Sequence, residues 1–101
     1  ELRAAGLPER VIVDASHDNS GKDHERQPAV AAQIGSQVAD GNHAIVGVML
    51  ESFLVGGRQD VVDGEKLTYG QSITDACMGW DATVGVLDDL AAAVRARRAR
   101  G

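Results

Sequence analysis

An imidazole and two carboxylates stand in this chain at places suited to metal binding or proton transfer. His17 closes the segment Arg10-Val-Ile-Val-Asp-Ala-Ser-His17, and Glu51 closes Ala44-Ile-Val-Gly-Val-Met-Leu-Glu51. Each ends an apolar run of strand length. In parallel α/β folds the C-terminal ends of strands form the rim where ligands and catalytic groups gather. Each residue also has a plainer reading, His17 as a hydrogen-bonded rim histidine and Glu51 as one half of a helix-facing ion pair.

The second carboxylate, Asp75, has two readings. Ser72-Ile-Thr-Asp75 matches the Ser-x-x-acid capping box, in which the acid reaches back to a free backbone amide at a helix start. If Asp75 points to the rim instead, it joins His17 and Glu51 in a mixed nitrogen and oxygen donor set. Such a set suits a borderline divalent ion such as manganese, iron, cobalt or zinc, and three ligands leave positions for a substrate or a fourth ligand. Cys77 follows two residues later, in the expected first helical turn, where the helix N-terminus lowers a thiol pKa. Its plainer reading is a buried, inert small residue. Lys22 and Arg26, in the loop after the first strand, are of the right charge to meet an anionic substrate, although exposed basic residues in loops are common.

These groups must be carried by regular elements. The β-branched run after Arg10 predicts a strand at about 11–16, and Asp18-Asn-Ser-Gly21 is turn chemistry. Pro28 suits the first turn of a helix, Val30, Ile34 and Val38 recur at helical spacing, and Gly41-Asn42 closes it, which predicts a helix at about 28–40. A second strand is expected over 44–51. Residues 52–72 hold Gly56, Gly57, Gly64 and Gly70 among polar residues, too irregular for a helix, and a loop of this length in a compact domain is usually functional. Trp80, Val84, Leu87, Leu90 and Val94 restore the helical period and predict a final helix at about 74–98. Ahead of all this, residues 1–5 read as a helix tail stopped by Gly6 with Pro8 just beyond, so the chain is expected to begin mid-protein.

The order helix tail, strand, helix, strand, long loop, helix describes two successive β/α units of a parallel sheet. Two strands cannot close a barrel, and a (β/α)8 barrel takes roughly 250 residues. At 101 residues, 44% hydrophobic and with net charge -5, the chain reads as part of one soluble globular domain. The acidic balance argues against general nucleic-acid binding, which needs clustered Lys and Arg. The one basic cluster, Arg95, Arg97, Arg98 and Arg100, fits the last turn of a helix, where cations complement the dipole. No apolar run of membrane-spanning length and no signal-peptide layout is present, and the single cysteine forbids an internal disulfide. A cytoplasmic location is the resulting expectation.

Three segments resemble a known family in order and spacing across nearly the whole chain. They are Val-Asp-Ala-Ser-His-Asp-Asn-Ser-Gly-Lys over 13–22, Ile-Val-Gly-Val-Met-Leu-Glu-Ser over 45–52, and Leu-Thr-Tyr-Gly-Gln-Ser-Ile-Thr-Asp-Ala-Cys-Met-Gly-Trp over 67–80. Together they are similar to the C-terminal third of class I 3-deoxy-D-arabino-heptulosonate 7-phosphate (DAHP) synthase. The related synthase that uses arabinose 5-phosphate fits the Ile-Thr-Asp-Ala-Cys-x-Gly-Trp run less well. The resemblance implies the last two β/α units of a (β/α)8 TIM barrel that condenses phosphoenolpyruvate with erythrose 4-phosphate, the first step toward the aromatic amino acids. It implies a homo-oligomer, dimer or tetramer.

In that family a divalent metal is held by a cysteine, a histidine, a glutamate and an aspartate. The resemblance places the last three at His17, Glu51 and Asp75. It puts the metal-binding cysteine earlier in the barrel, so Cys77 does not take its place. The Lys-Pro-Arg-Thr segment that holds the aldose phosphate and the groups that hold phosphoenolpyruvate are also expected outside these residues. The isolated chain is therefore predicted to be inactive and poorly soluble, with both edges of its sheet open. The alternative from another class is a non-catalytic product that binds metal weakly or pairs with partner barrels.

Overall fold

A computed structural model describes residues 2–17 and 23–101. Among the described residues, four regular elements follow one another: β1 (Val11–Asp14), α1 (Gln27–Ala39), β2 (Ile45–Met49) and α2 (Trp80–Arg100), with a short 3-10 turn at His24–Arg26 ahead of α1. The strands pair in parallel, Ile12 with Gly47, Val13 with Val48 and Asp14 with Met49, after an irregularity between Val11 and Ile12. Parallel neighbours need a crossover connection, and α1 supplies it. The α/β reading with two β/α units therefore holds.

Helix α1 begins where Pro28 removes a donor that would have no intrahelical partner. It ends at Ala39, and two residues later Gly41, with a positive φ of 103°, lets the chain turn back. There Asn42 N–H reaches the Gln37 carbonyl and Gly41 N–H the Val38 carbonyl, the paired bonds of a Schellman close. The same pair of bonds recurs at Gly6, where Leu7 N–H meets Leu2 O and Gly6 N–H meets Arg3 O. Of the expected helix tail over 1–5, Glu1 lies outside the described residues, and residues 2–6 form a turn closed as a helix end is closed.

The core lies between the two helices and one face of the sheet. Ala31, Ile34 and Val38 of α1 meet Val86 and Ala93 of α2, together with Ala15, Ile45 and Met78. Small residues let the helices approach, with the Ala93 methyl and Leu90 only 3.8 Å from where a Cβ on Gly35 would stand. Val13 and Val48 pack against this core, whereas Ile12 and Met49, on the other face, remain 70% and 44% exposed. The radius of gyration, 16.3 Å, exceeds the roughly 13 Å of a compact domain of this length. The molecule is an open slab with one apolar sheet face uncovered.

The expected final helix at 74–98 starts later, at Trp80. Residues 76–79 are taken by bonds across the long loop: Cys77 pairs antiparallel with Gly57, and Met78 exchanges bonds with Glu51 O and Phe53 N. Backbone groups used across the chain are not available to a helix. Leu90 and Val94 pack against the core as their period implies, but Trp80, Val84 and Leu87 are exposed, and Thr83 and Val86 take the buried side of that half. The loop over 52–72 contains no helix. Gln59 ties it together by donating to Thr68 O and Gln71 O and accepting from Thr68 N–H. No helix among the described residues is long and apolar enough to cross a membrane.

Candidate metal centre

His17 stands just past the C-terminal end of β1, after the buried pair Ala15 and Ser16. Its φ of 45° is left-handed, which a residue with a Cβ adopts uncommonly and chiefly where surrounding contacts impose it. Those contacts are local. Asp14 Oδ1 accepts from the Ser16 N–H at 2.8 Å and from the Ser16 hydroxyl, while Asp14 Oδ2 lies 2.8 Å from His17 Nδ1. The hydrogen bonds from Ser16 hold the Asp14 pKa below the ordinary carboxylate value, and His17 adds to that effect. In turn the hydrogen bond to Asp14 raises the His17 pKa above that of an ordinary imidazole, against partial desolvation. The negative charges of Glu51, Asp14 and Asp75 act in the same direction.

Glu51 stands just past the end of β2, its side chain only 14% exposed. Its backbone is gripped by a residue from another element. Gln27, the first residue of α1 and 1% exposed, accepts from Glu51 N–H at 3.0 Å and donates to Glu51 O at 3.3 Å. Met78 N–H donates to the same carbonyl at 2.9 Å. The crossover helix and the far side of the long loop thus both set where this carboxylate starts.

Asp75 is not a helix cap. The helix begins five residues later with Gly79 as its N-cap, and the Ser72 hydroxyl accepts from Thr74 N–H instead. The capping-box expectation fails because the backbone after Asp75 pairs with Glu51 and Gly57 rather than coiling. Asp75 sits in a turn anchored by Arg58, whose Nε donates to Thr74 O at 2.8 Å. From there Asp75 Oδ2 comes within 3.4 Å of His17 Nε2, and Glu51 Oε1 within 2.6 Å of the same nitrogen.

The three candidates are therefore brought together. One donor atom from each of His17, Glu51 and Asp75 falls within 4.8 Å of the others. Ligands about 2.1 Å from a divalent ion stand about 3.0–3.4 Å apart in octahedral or tetrahedral geometry, so small shifts would fit the set to one ion. Two anionic oxygens and a neutral nitrogen also match the charge of such an ion. The three line a cavity of about 180 Å³ that Ser16, Gln27, Arg58 and Thr74 help to wall. A larger groove of about 560 Å³ runs between α1 and α2, but alanines and glycines dominate its wall and no ligand set converges there.

The model of the DAHP synthetase I family matches residues 1–88. The chain belongs to that family. It is 53% identical over 97 residues to the Phe-sensitive phospho-2-dehydro-3-deoxyheptonate aldolase of Escherichia coli K12, covering 96% of the chain and 28% of that protein. It is 52% identical over 102 residues to the tyrosine-inhibited aldolase of Schizosaccharomyces pombe, covering 97% and 27%. The solved structure of the phospho-2-dehydro-3-deoxyheptonate aldolase of Francisella tularensis SCHU S4 superposes with a TM-score of 0.88 at 47% identity, covering 95% of this chain and 28% of that one. The chain thus spans little more than a quarter of the length of these relatives.

Within this DAHP synthetase I segment, Asp14, Gln27 and Arg58 support the site without having been singled out as part of it. Asp14 carried a legible signal, an acid three residues before His17 in the same strand end. Gln27 and Arg58 carried none, since a polar residue before a proline and an arginine in a glycine-rich loop acquire a role only when the chain folds. Cys77 lies outside the helix, so the expected lowering by a helix N-terminus does not arise. Burial pushes its thiol pKa up, and the charges of Glu51 and Asp75 add to this. Arg26 is exposed at the start of α1 and is not part of the cavity wall, and Lys22 lies outside the described residues. In the basic cluster Arg97 does more than meet solvent, donating to Asn42 O and Ile45 O at 2.9 and 2.8 Å where β2 begins.

Proposed function

We propose that residues 1–101 are the C-terminal part of a single (β/α)8 barrel, its last two β/α units, and that the whole protein condenses phosphoenolpyruvate with erythrose 4-phosphate and water to give 3-deoxy-D-arabino-heptulosonate 7-phosphate and phosphate. The observation that carries this reading is the convergence of His17 Nε2, Glu51 Oε1 and Asp75 Oδ2 beyond the C-terminal ends of two parallel strands, in a member of the DAHP synthetase I family. The names of the relatives, all phospho-2-dehydro-3-deoxyheptonate aldolases, support the heptulosonate reaction over the arabinose 5-phosphate one.

In this reading the three residues are ligands of one divalent ion, with manganese, iron, cobalt and zinc all compatible with the donors. When bound, such an ion would supply Lewis acidity toward a carbonyl or a water oxygen. Glu51 and Asp75 contribute negative charge that partly neutralises it, and His17 contributes a neutral nitrogen. Gln27 and Arg58 hold the two carboxylate-bearing segments in place, and none of the three ligands need act as general base. The reaction joins the enol carbon of phosphoenolpyruvate to the aldehyde carbon. Water adds at the carbon bearing phosphate, which leaves by C–O cleavage. Exposed Ile12, Val46 and Leu87 need cover, which the rest of the barrel and further copies in a cytoplasmic homo-oligomer would supply.

The test is to express the complete reading frame that encodes this chain, with His17→Ala, Glu51→Ala and Asp75→Ala made singly, and to measure bound metal and condensation. Loss of both in each variant is expected. Full metal content and activity in all three would overturn the assignment.

A further inference from the structure

The metal reading names the donors but leaves open what aims the imidazole. His17 ends a short chain of hydrogen bonds that begins at a buried backbone turn. Ser16, 2% exposed, points both its N–H and its hydroxyl at Asp14 Oδ1. Both of these donors are directed at one oxygen, which fixes the rotation of the carboxylate. The other oxygen, Oδ2, is thereby held 2.8 Å from His17 Nδ1, and the Ser16 hydroxyl oxygen lies 2.9 Å from the same nitrogen. A carboxylate oxygen can only accept, so Nδ1 must carry a proton to make this contact. A ring with its proton on Nδ1 has its lone pair on Nε2, and Nε2 is the atom that faces Glu51 and Asp75.

We infer that Asp14 is a positioning residue for the metal site, accepting the Nδ1–H of His17 so that the Nε2 lone pair is presented between Glu51 and Asp75. This rests on the reading of His17 as a metal ligand. The left-handed backbone at His17 fits the role, since φ of 45° swings the ring back over Asp14, its neighbour three residues earlier. Carboxylate partners of ligand histidines act in this way generally, and losing one lowers metal affinity about 10–100-fold.

The role makes an unusual ordering of variants. In Asp14→Asn the Ser16 donors retain an acceptor at Oδ1, which leaves the amide NH2 facing Nδ1. That favours the opposite tautomer, with the proton on Nε2, where it blocks the metal. Asp14→Ala leaves either tautomer available and only loosens the ring. A residue that merely braced the Ser16 turn would give the reverse order, because Asn keeps the Ser16 contacts and Ala does not. The experiment titrates Mn²⁺ alone into the complete metal-free protein, following free Mn²⁺ by electron paramagnetic resonance, for wild type, Asp14→Asn, Asp14→Ala and His17→Ala. Affinity about 10–100-fold weaker in Asp14→Asn, and less weakened in Asp14→Ala, is the expected result.

Wild-type affinity in Asp14→Asn, or a greater loss in Asp14→Ala, overturns the inference while leaving the metal reading intact. Unchanged Mn²⁺ binding in His17→Ala overturns the metal reading and the inference with it. Should the Asp14 variants not fold, ¹⁵N-histidine NMR of the Zn²⁺-loaded wild type decides the matter. A slowly exchanging Nδ1 proton on His17 supports the hydrogen bond to Asp14, and a freely exchanging one refutes it.

Discussion

The side-chain amide of Gln27 closes a two-bond ring on the backbone of Glu51, Oε1 accepting its N–H at 3.0 Å and Nε2 donating to its C=O at 3.3 Å. In effect a side chain from α1 imitates a neighbouring strand at the end of β2. Replacing it with Leu keeps the volume but leaves the Glu51 N–H without its acceptor, while the Glu51 carbonyl keeps only the Met78 N–H. Gln27→Leu should destabilise the fold by about 1–3 kcal/mol, read as a fall in the denaturant midpoint. Metal affinity should fall as well, because Glu51 loses its anchor. An unchanged midpoint would mean that Met78 and solvent satisfy Glu51 unaided.

The raised His17 pKa makes protons and metal compete for Nε2. Protonation of His17 should lower apparent metal affinity by up to about tenfold per pH unit below its folded-state pKa. That decline begins above the ordinary imidazole value of 6.5. The metal-free fold behaves oppositely. A raised histidine contributes stability that is complete below its unfolded value and is lost as pH rises through the folded one, whereas Asp14, lowered, contributes above 3.8 and loses it as pH falls. The pair therefore stabilises the metal-free protein most between 3.8 and 6.5. Both groups are over a third exposed, so the effect is small. Isothermal titration with a divalent ion from pH 5.5 to 8.5 checks the first trend and thermal melts with chelator check the second.

Cys77 donates its thiol toward Asp75 O at 3.5 Å and has its pKa pushed up by burial. It should react slowly with iodoacetamide near neutral pH, because the thiolate is scarce. Cys77→Ser should leave metal stoichiometry unchanged in the complete protein. Loss of the metal in that variant would make Cys77 a ligand after all.

The isolated 101 residues expose Ile12, Val46, Trp80 and Leu87 together with both edges of a two-stranded sheet. Open edges and uncovered apolar faces recruit other chains. Expressed alone, the chain should form concentration-dependent aggregates in sedimentation velocity runs and show no condensation activity. A monodisperse monomer with turnover would contradict both the open-slab description and the proposed dependence on the rest of a barrel.

Residue types and periodicity determined the two β/α units, the placement of His17 and Glu51 just beyond strand ends, and the glycine stop at Gly41. These are local properties, since strand length, turn chemistry and helical spacing act between neighbours along the chain. The motif order also pointed to the DAHP synthetase I family. Asp75 is where local reasoning ran out. Its capping-box pattern is a true local preference, but the backbone of Cys77 and Met78 is drawn into bonds with Glu51, Phe53 and Gly57, which moves the helix start to Trp80 and frees Asp75 to face His17. Gln27 reaches Glu51 across 24 positions, and Arg58 reaches Thr74 across 16. Contacts at such separations depend on how the helix crosses the sheet and how the loop folds back, and only the tertiary structure decides them.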